Sequence, residues 1–237
     1  MTKPLFIWLG AGRARRYHIG PPASLLDRAA NAALPVPAGA VVLDTFFRFC
    51  LTSGLAQSSN GRVTIPDHEL WHNTLHLSAH LPRFRQPVDI YDVAAGPASG
   101  LPAPLGHAVA FNDPQAAARA LEQVWSAAHP MAEPSPRDVL IIETVPATRV
   151  GTATTITGQT ADRIVLAHSP DAPIVLPQLS GHGRPDADQP AYARRLQQLL
   201  RGARRTFGPG TWQIAWADDG HICWLTLAAT AVPELAG

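Results

Sequence analysis

The stretch His68-Glu69-Leu70-Trp71-His72 has the spacing of a zinc-hydrolase helix. On a helix, two histidines four residues apart project from one face and can share a metal, with the adjacent glutamate acting as base toward a metal-bound water. His76 and His80 continue the four-residue step. A catalytic zinc also needs a third protein ligand and an open position. Leu75 and Ser78 stand where the extended motif wants Gly and His, and the next glutamate downstream is Glu122. His68 and His72 therefore remain a candidate zinc pair, with Glu69 as base only if zinc binds. The favoured reading is a partly exposed histidine column that takes metal opportunistically, and a zinc hydrolase is the third choice of function.

Other chemical signals have simpler explanations. Gly10-Ala11-Gly12 follows an apolar strand, but Arg15 occupies the last glycine position of a dinucleotide fingerprint. Arg194, Arg195, Arg201, Arg204 and Arg205 make a basic helix, expected to be a solvated face. Ser180-Gly181-His182 has no neighbouring acid to orient a base. Asp218-Asp219-Gly220 reads as a hairpin turn rather than a metal-binding carboxylate pair.

These residues must be positioned by elements of both kinds. Apolar runs at 4–9 and 38–43, and β-branched runs at 87–94, 108–111, 138–145, 151–156 and 163–167, predict strands, the last three in meander spacing. Closing strands are expected at 212–217 and 222–227. Helices are expected from Ser24, from an Asp44 cap, from Pro66-Asp67 through the histidines, from Pro114 through Trp125, and from Pro190 to Phe207. Residues 169–190, with five prolines, read as a long surface loop. The class is α/β in the α+β sense.

The 237 residues are 46% hydrophobic, enough for one large domain or two packed lobes. A formal charge of +1 gives no reason to expect nucleic acid. The apolar run Leu5–Leu9 is too short for a membrane span or a signal segment, so a cytoplasmic protein is the expectation. Cys50 and Cys223 lie in apolar runs and read as buried free thiols. Trp71 is open between core and contact surface.

Three separated segments resemble the ATP-grasp nucleotide-binding domain of phosphoenolpyruvate synthase and pyruvate phosphate dikinase. The first is Gly20-Pro21-Pro22-Ala23-Ser24-Leu25-Leu26, then Leu34-Pro35-Val36-Pro37-Ala38-Gly39 and the helix with Phe46-Phe47-Arg48-Phe49. The second is Val145-Pro146-Ala147 through Gly151. The third is Phe207-Gly208 with Trp212–Ala217 and Cys223–Ala228. Their order is that of the family over nearly the whole chain.

The resemblance implies a two-lobed fold with mixed and antiparallel sheets, residues 1–112 forming the N-terminal lobe and 113–237 the C-terminal lobe. It also implies lost chemistry. Pro22 stands at the family's phosphate-binding lysine, Tyr91 at its arginine, Ala215 at its metal-binding glutamate, and Thr226 and Ala228 at its closing glutamine and arginine. Phosphoryl transfer depends on positioning and charge neutralisation, so these changes should abolish it. The expected function is a pseudoenzyme, an interaction or regulatory subunit with a protein partner and no required cofactor. The sequence ends at the last strand, so neither the family's swivelling phosphohistidine domain nor its barrel is expected. The alternative is retained ATP and magnesium binding between the lobes, with Arg13, Arg15 and Arg16 near Gly20 supplying cations.

Overall fold

The computed structural model describes residues 4–79, 84–93, 101–127, 137–167 and 172–231, without the side chains of Arg15, Ser78 and Ala79. Strand β1 (Phe6–Trp8) leads through α1 (Ala14–Tyr17) into α2 (Pro21–Asn31), β2 (Gly39–Val42) and α3 (Asp44–Thr52). A small hairpin, β3 (Gln57–Ser59) and β4 (Arg62–Thr64), precedes α4 (His68–Ala79), β5 (Val88–Asp92), β6 (Gly106–Val109) and α5 (Pro114–Ala127). The chain continues as β7 (Val139–Glu143), β8 (Arg149–Ile156), β9 (Ala161–Leu166), β10 (Ile174–Pro177), α6 (Ala191–Phe207), β11 (Thr211–Asp218) and β12 (Cys223–Thr230).

Two five-stranded sheets organise the molecule, ordered β1-β2-β7-β5-β6 and β10-β9-β8-β11-β12. Every ladder in both is antiparallel. The class is α+β, as the sequence predicts. Helices α3, α4 and α5 cover one face of the first sheet, where Phe46, Trp71, Leu121 and Trp125 pack on Val42, Ile90 and Ile141. Its other face, through Val41, Leu140 and Ile142, joins a second core with Leu26 and Ala29 of α2. That core continues through β12 to α6, so α2 is wedged between the two sheets.

Several expectations are corrected. The strand at 138–145 is no part of a meander: β7 sits centrally in the first sheet, whereas β8 and β9 belong to the second. Its four apolar residues are all buried, as befits a strand covered on both faces, while β9 alternates. The segment 169–190 is not all loop, since β10 pairs with β9. Asp44 does not cap α3, whose first turn it occupies; it pairs with Arg48, and its Oδ1 accepts the Arg137 amide at 3.2 Å. The β3–β4 hairpin, turning at Asn60-Gly61, was legible as a turn pair but not anticipated. Trp71 is fully buried and belongs to the core.

Candidate functional site

The sheets diverge into a cleft of about 310 Å³. Strand alternation sets its walls: Asp89 and Tyr91, two residues apart on β5, share one face, and so do Val150 and Thr152 on β8. Glu143, Thr144 and Val145, where the chain passes from the first sheet to the second, form its floor, and Ala215 of β11 and Thr226 of β12 complete the far wall.

A polar cluster stands at one side. Asp89 Oδ1 accepts from Thr144 Oγ1 at 3.0 Å and from the Ala108 amide at 3.0 Å, and lies 2.8 Å from His107 Nδ1. Ala108 has φ of +49°, a left-handed conformation that costs a non-glycine residue about 1 kcal/mol and that the Asp89 bond helps to hold. In the tautomer that donates from Nδ1, His107 leaves Nε2 as an acceptor on a ring that is 70% exposed. Tyr91 is buried, and desolvation, then the Asp89 charge, pushes its hydroxyl pKa upward, so it stays a neutral phenol. Glu143 Oε1 accepts the Arg85 amide at 2.6 Å and the Gln86 amide at 3.4 Å.

No lysine or arginine lines this cleft among the described residues. The chain has a single lysine, Lys3, a signal available from composition but not read there. Many arginines serve the fold instead. On α6, Arg195 is bidentate to Asp218 with both bonds at 2.7 Å, and Arg204 reaches Asp162 at 2.9 Å. Arg201 and Arg205 bond the Gly183 and Gly181 carbonyls. The helix expected to present a solvated basic face therefore ties down a loop and the second sheet. Arg149 lies over the Tyr192 ring at 4.6 Å, and Arg137 over Phe47 at 4.6 Å.

The structure brings Tyr91, Ala215 and Thr226 together at the cleft. Pro22, the second residue of α2, and Ala228, fully buried in the core, are not among its lining residues. Gly20 is a packing glycine: a Cβ there would lie 1.7 Å from the Val93 carbonyl oxygen. Arg13 lines a separate cavity of about 250 Å³ with Trp8 and Tyr17, and Arg16 is exposed beside Tyr17. The Gly10–Ala14 loop forms a backbone nest with φ of +86° and +66° at Gly10 and Gly12. Its amides converge on the buried Asp27 carboxylate, at 2.9 Å from Gly10, 3.2 Å from Gly12 and 3.0 Å from Ala14. The chain's own anion thus occupies a concavity of the kind that elsewhere binds phosphate.

Helix α4 begins as predicted, with Asp67 Oδ1 accepting the Leu70 amide at 2.9 Å. His72 is buried, its Nε2 lying 3.1 Å from the Phe111 carbonyl oxygen and 3.1 Å from His76 Nε2. Glu69 is exposed and His68 half-buried; His80 lies outside the described residues. No group of three His, Cys, Asp or Glu residues is arranged to hold a metal among the described residues. Cys50 and Cys223 are buried free thiols, each pushed up to about 12 by desolvation, which makes them unreactive. No helix among the described residues is long and apolar enough to cross a membrane.

A second cavity, about 420 Å³, adjoins the cleft and shares Glu143, Thr144 and Val145 with it. Val36, Pro37, Pro146, Asp219 and Trp224 complete its walls.

No family model matches the chain. No curated protein does either. Among solved structures, it is similar to a D-alanine–D-alanine ligase from Bacillus anthracis, with TM-score 0.47 and 11% identity over 88% of this chain and 55% of that one. It is similar to N5-carboxyaminoimidazole synthase from Aspergillus clavatus, solved with ADP and 5-aminoimidazole ribonucleotide, at TM-score 0.45 and 11% identity over 89% of this chain and 44% of that one. A RimK domain ATP-grasp protein from Sphaerobacter thermophilus gives TM-score 0.44 and 15% identity over 89% and 59%. The chain spans about half the length of these structures. At such identities a likeness concerns chain path alone, and any chemistry has to come from the cleft's own residues.

Proposed function

We propose that this chain is an ATP-grasp-like protein, related to phosphoenolpyruvate synthase and pyruvate phosphate dikinase, that performs no phosphoryl transfer and works as an interaction or regulatory subunit. One observation carries the reading. The cleft between the sheets is lined by two carboxylates, Asp89 and Glu143, and, among the described residues, by no lysine or arginine.

A nucleoside triphosphate would bring several negative charges against that wall. At 4 Å each like-charge pair near a protein surface opposes binding by up to about 4 kcal/mol. Transfer of its terminal phosphoryl group needs donors aimed at the developing charge, and each missing one lowers the rate by about 10²–10³. Tyr91 offers a neutral hydroxyl, Thr226 another, and Ala215 nothing. An interaction role draws support from the edge strand of the second sheet, β10, where Val175 is 72% exposed and Ile174 38% exposed. The test is ADP formation from ATP with magnesium, measured with the full chain. No ADP above the protein-free blank is expected; magnesium-dependent release that Asp89→Asn abolishes would make the chain an enzyme.

A further inference from the structure

We infer that the cavity at the junction of the two sheets binds a small organic cation, an ammonium group carried on a compact apolar body. The cavity's volume of about 420 Å³ is within the range of small-molecule sites. Its walls combine three features that together select such a ligand. Two carboxylates, Glu143 and Asp219, face it, and neither has an ion-pair partner among the described residues. One indole, Trp224, lines it and is fixed in place by an Nε1–H bond to Asp219 Oδ2 at 2.8 Å. Val36, Pro37, Val145 and Pro146 supply the apolar remainder.

A cation gains from the carboxylate charge and from the electron-rich face of an indole, whereas an anion is opposed by both. The Asp219 carboxylate is dependably charged. The Trp224 indole N–H, then the amides of Ile222 and His221, hold its pKa down to about 2. Those same donors separate an organic cation from a metal ion. They take up much of the Asp219 acceptor capacity, so Asp219 offers mainly its charge, which an organic cation can use without direct coordination, and no three-residue metal group exists among the described residues. Glu143, Thr144 and Val145 line both this cavity and the cleft, so a ligand held here would sit beside the cleft's floor.

This inference is independent of whether the neighbouring cleft accepts ATP. The experiment titrates the full chain by calorimetry with n-butylammonium chloride and with tetramethylammonium chloride, using n-butanol as the uncharged comparison. Saturable one-site binding of at least one cation, and none of n-butanol, is expected. Glu143→Gln keeps an oxygen for the Arg85 and Gln86 amides but removes the charge, and should weaken binding about tenfold. Trp224→Leu should do the same, and circular dichroism of both variants checks that they are folded. Silence with both cations, equal binding of n-butanol, or unchanged affinity in folded Glu143→Gln would overturn the proposal.

Discussion

Replacing Arg204 by methionine tests how α6 is held to the second sheet. Arg204 Nη1 lies 2.9 Å from Asp162 Oδ2, 3.1 Å from its Oδ1 and 2.9 Å from Thr155 Oγ1. The two side chains are only 12% and 1% exposed. Methionine preserves much of the aliphatic stem and leaves Asp162 a buried carboxylate with one remaining side-chain donor among the described residues, Gln178 Nε2 at 2.7 Å. Breaking a buried pair costs about 3–5 kcal/mol, against about 0.2–1 for an exposed one. The Gln178 bond keeps the expected loss near the lower end, about 3 kcal/mol, or a fall in Tm of about 6–12 °C for a chain of this size. Arg204 Nη2 has no hydrogen-bond partner among the described residues, so the pair is incompletely compensated there. Removing both charges, in Arg204→Met with Asp162→Asn, should therefore return most of the loss. Equilibrium urea unfolding of the two single variants and the double variant measures the coupling. A loss under about 1 kcal/mol for Arg204→Met, at unchanged m, would refute the claim that this pair behaves as a buried one.

Gly20→Ala would put a methyl into the Val93 carbonyl, and the required shift of α2 should cost more than about 2 kcal/mol in the same assay, where a neutral result would show that α2 is not seated there. Two aspartates give opposite pH signatures. Burial, opposed by the Asp44 amide bond and reinforced by the charges of Asp44 and Asp92, raises the Asp138 pKa above 3.8. Its contribution thus favours folding below 3.8 and is lost as pH rises through the raised value, so Asp138→Asn should gain relative stability toward neutral pH. Asp219, held down to about 2, contributes stability above 3.8 that is lost as pH falls, so Asp219→Asn should be destabilised at neutral pH and converge with the parent near pH 2. Urea midpoints across that range check both signs. Metal analysis of protein purified without added metal should give under about one-tenth zinc per chain; one zinc per chain, lost in His72→Ala, would restore the hydrolase reading.

Much of the architecture was legible because local patterns and tertiary burial agree. Pro114 and Asp113 start α5 as read, with Asp113 Oδ1 accepting the Ala116 amide at 2.7 Å, and the Asp-Asp-Gly turn joins β11 to β12. Sheet membership was harder. Val139-Leu140-Ile141-Ile142 is a continuous apolar run that belongs between β2 and β5, but sequence order alone sets it beside β8. Proline content concealed β10, although Pro177 only ends that edge strand, where a missing amide is tolerated. Collinear motifs brought Tyr91, Ala215 and Thr226 to attention, and all three line one cleft. The Asp89, His107 and Thr144 cluster stayed hidden because its members come from three segments joined only by folding. The Asp27 nest was hidden for the same reason: two glycines resemble a ligand loop until the carboxylate filling it is located.

A cleft walled by Asp89 and Glu143, with no lysine or arginine among the described residues, should not accept a nucleoside triphosphate. Calorimetric titration of ATP with magnesium into the full chain, at concentrations that detect millimolar binding, tests this directly. The charge of the cleft predicts no saturable heat. Saturable one-site binding that Tyr91→Ala or Thr226→Ala weakens would place a nucleotide between the sheets and contradict the charge argument on which the non-catalytic reading rests.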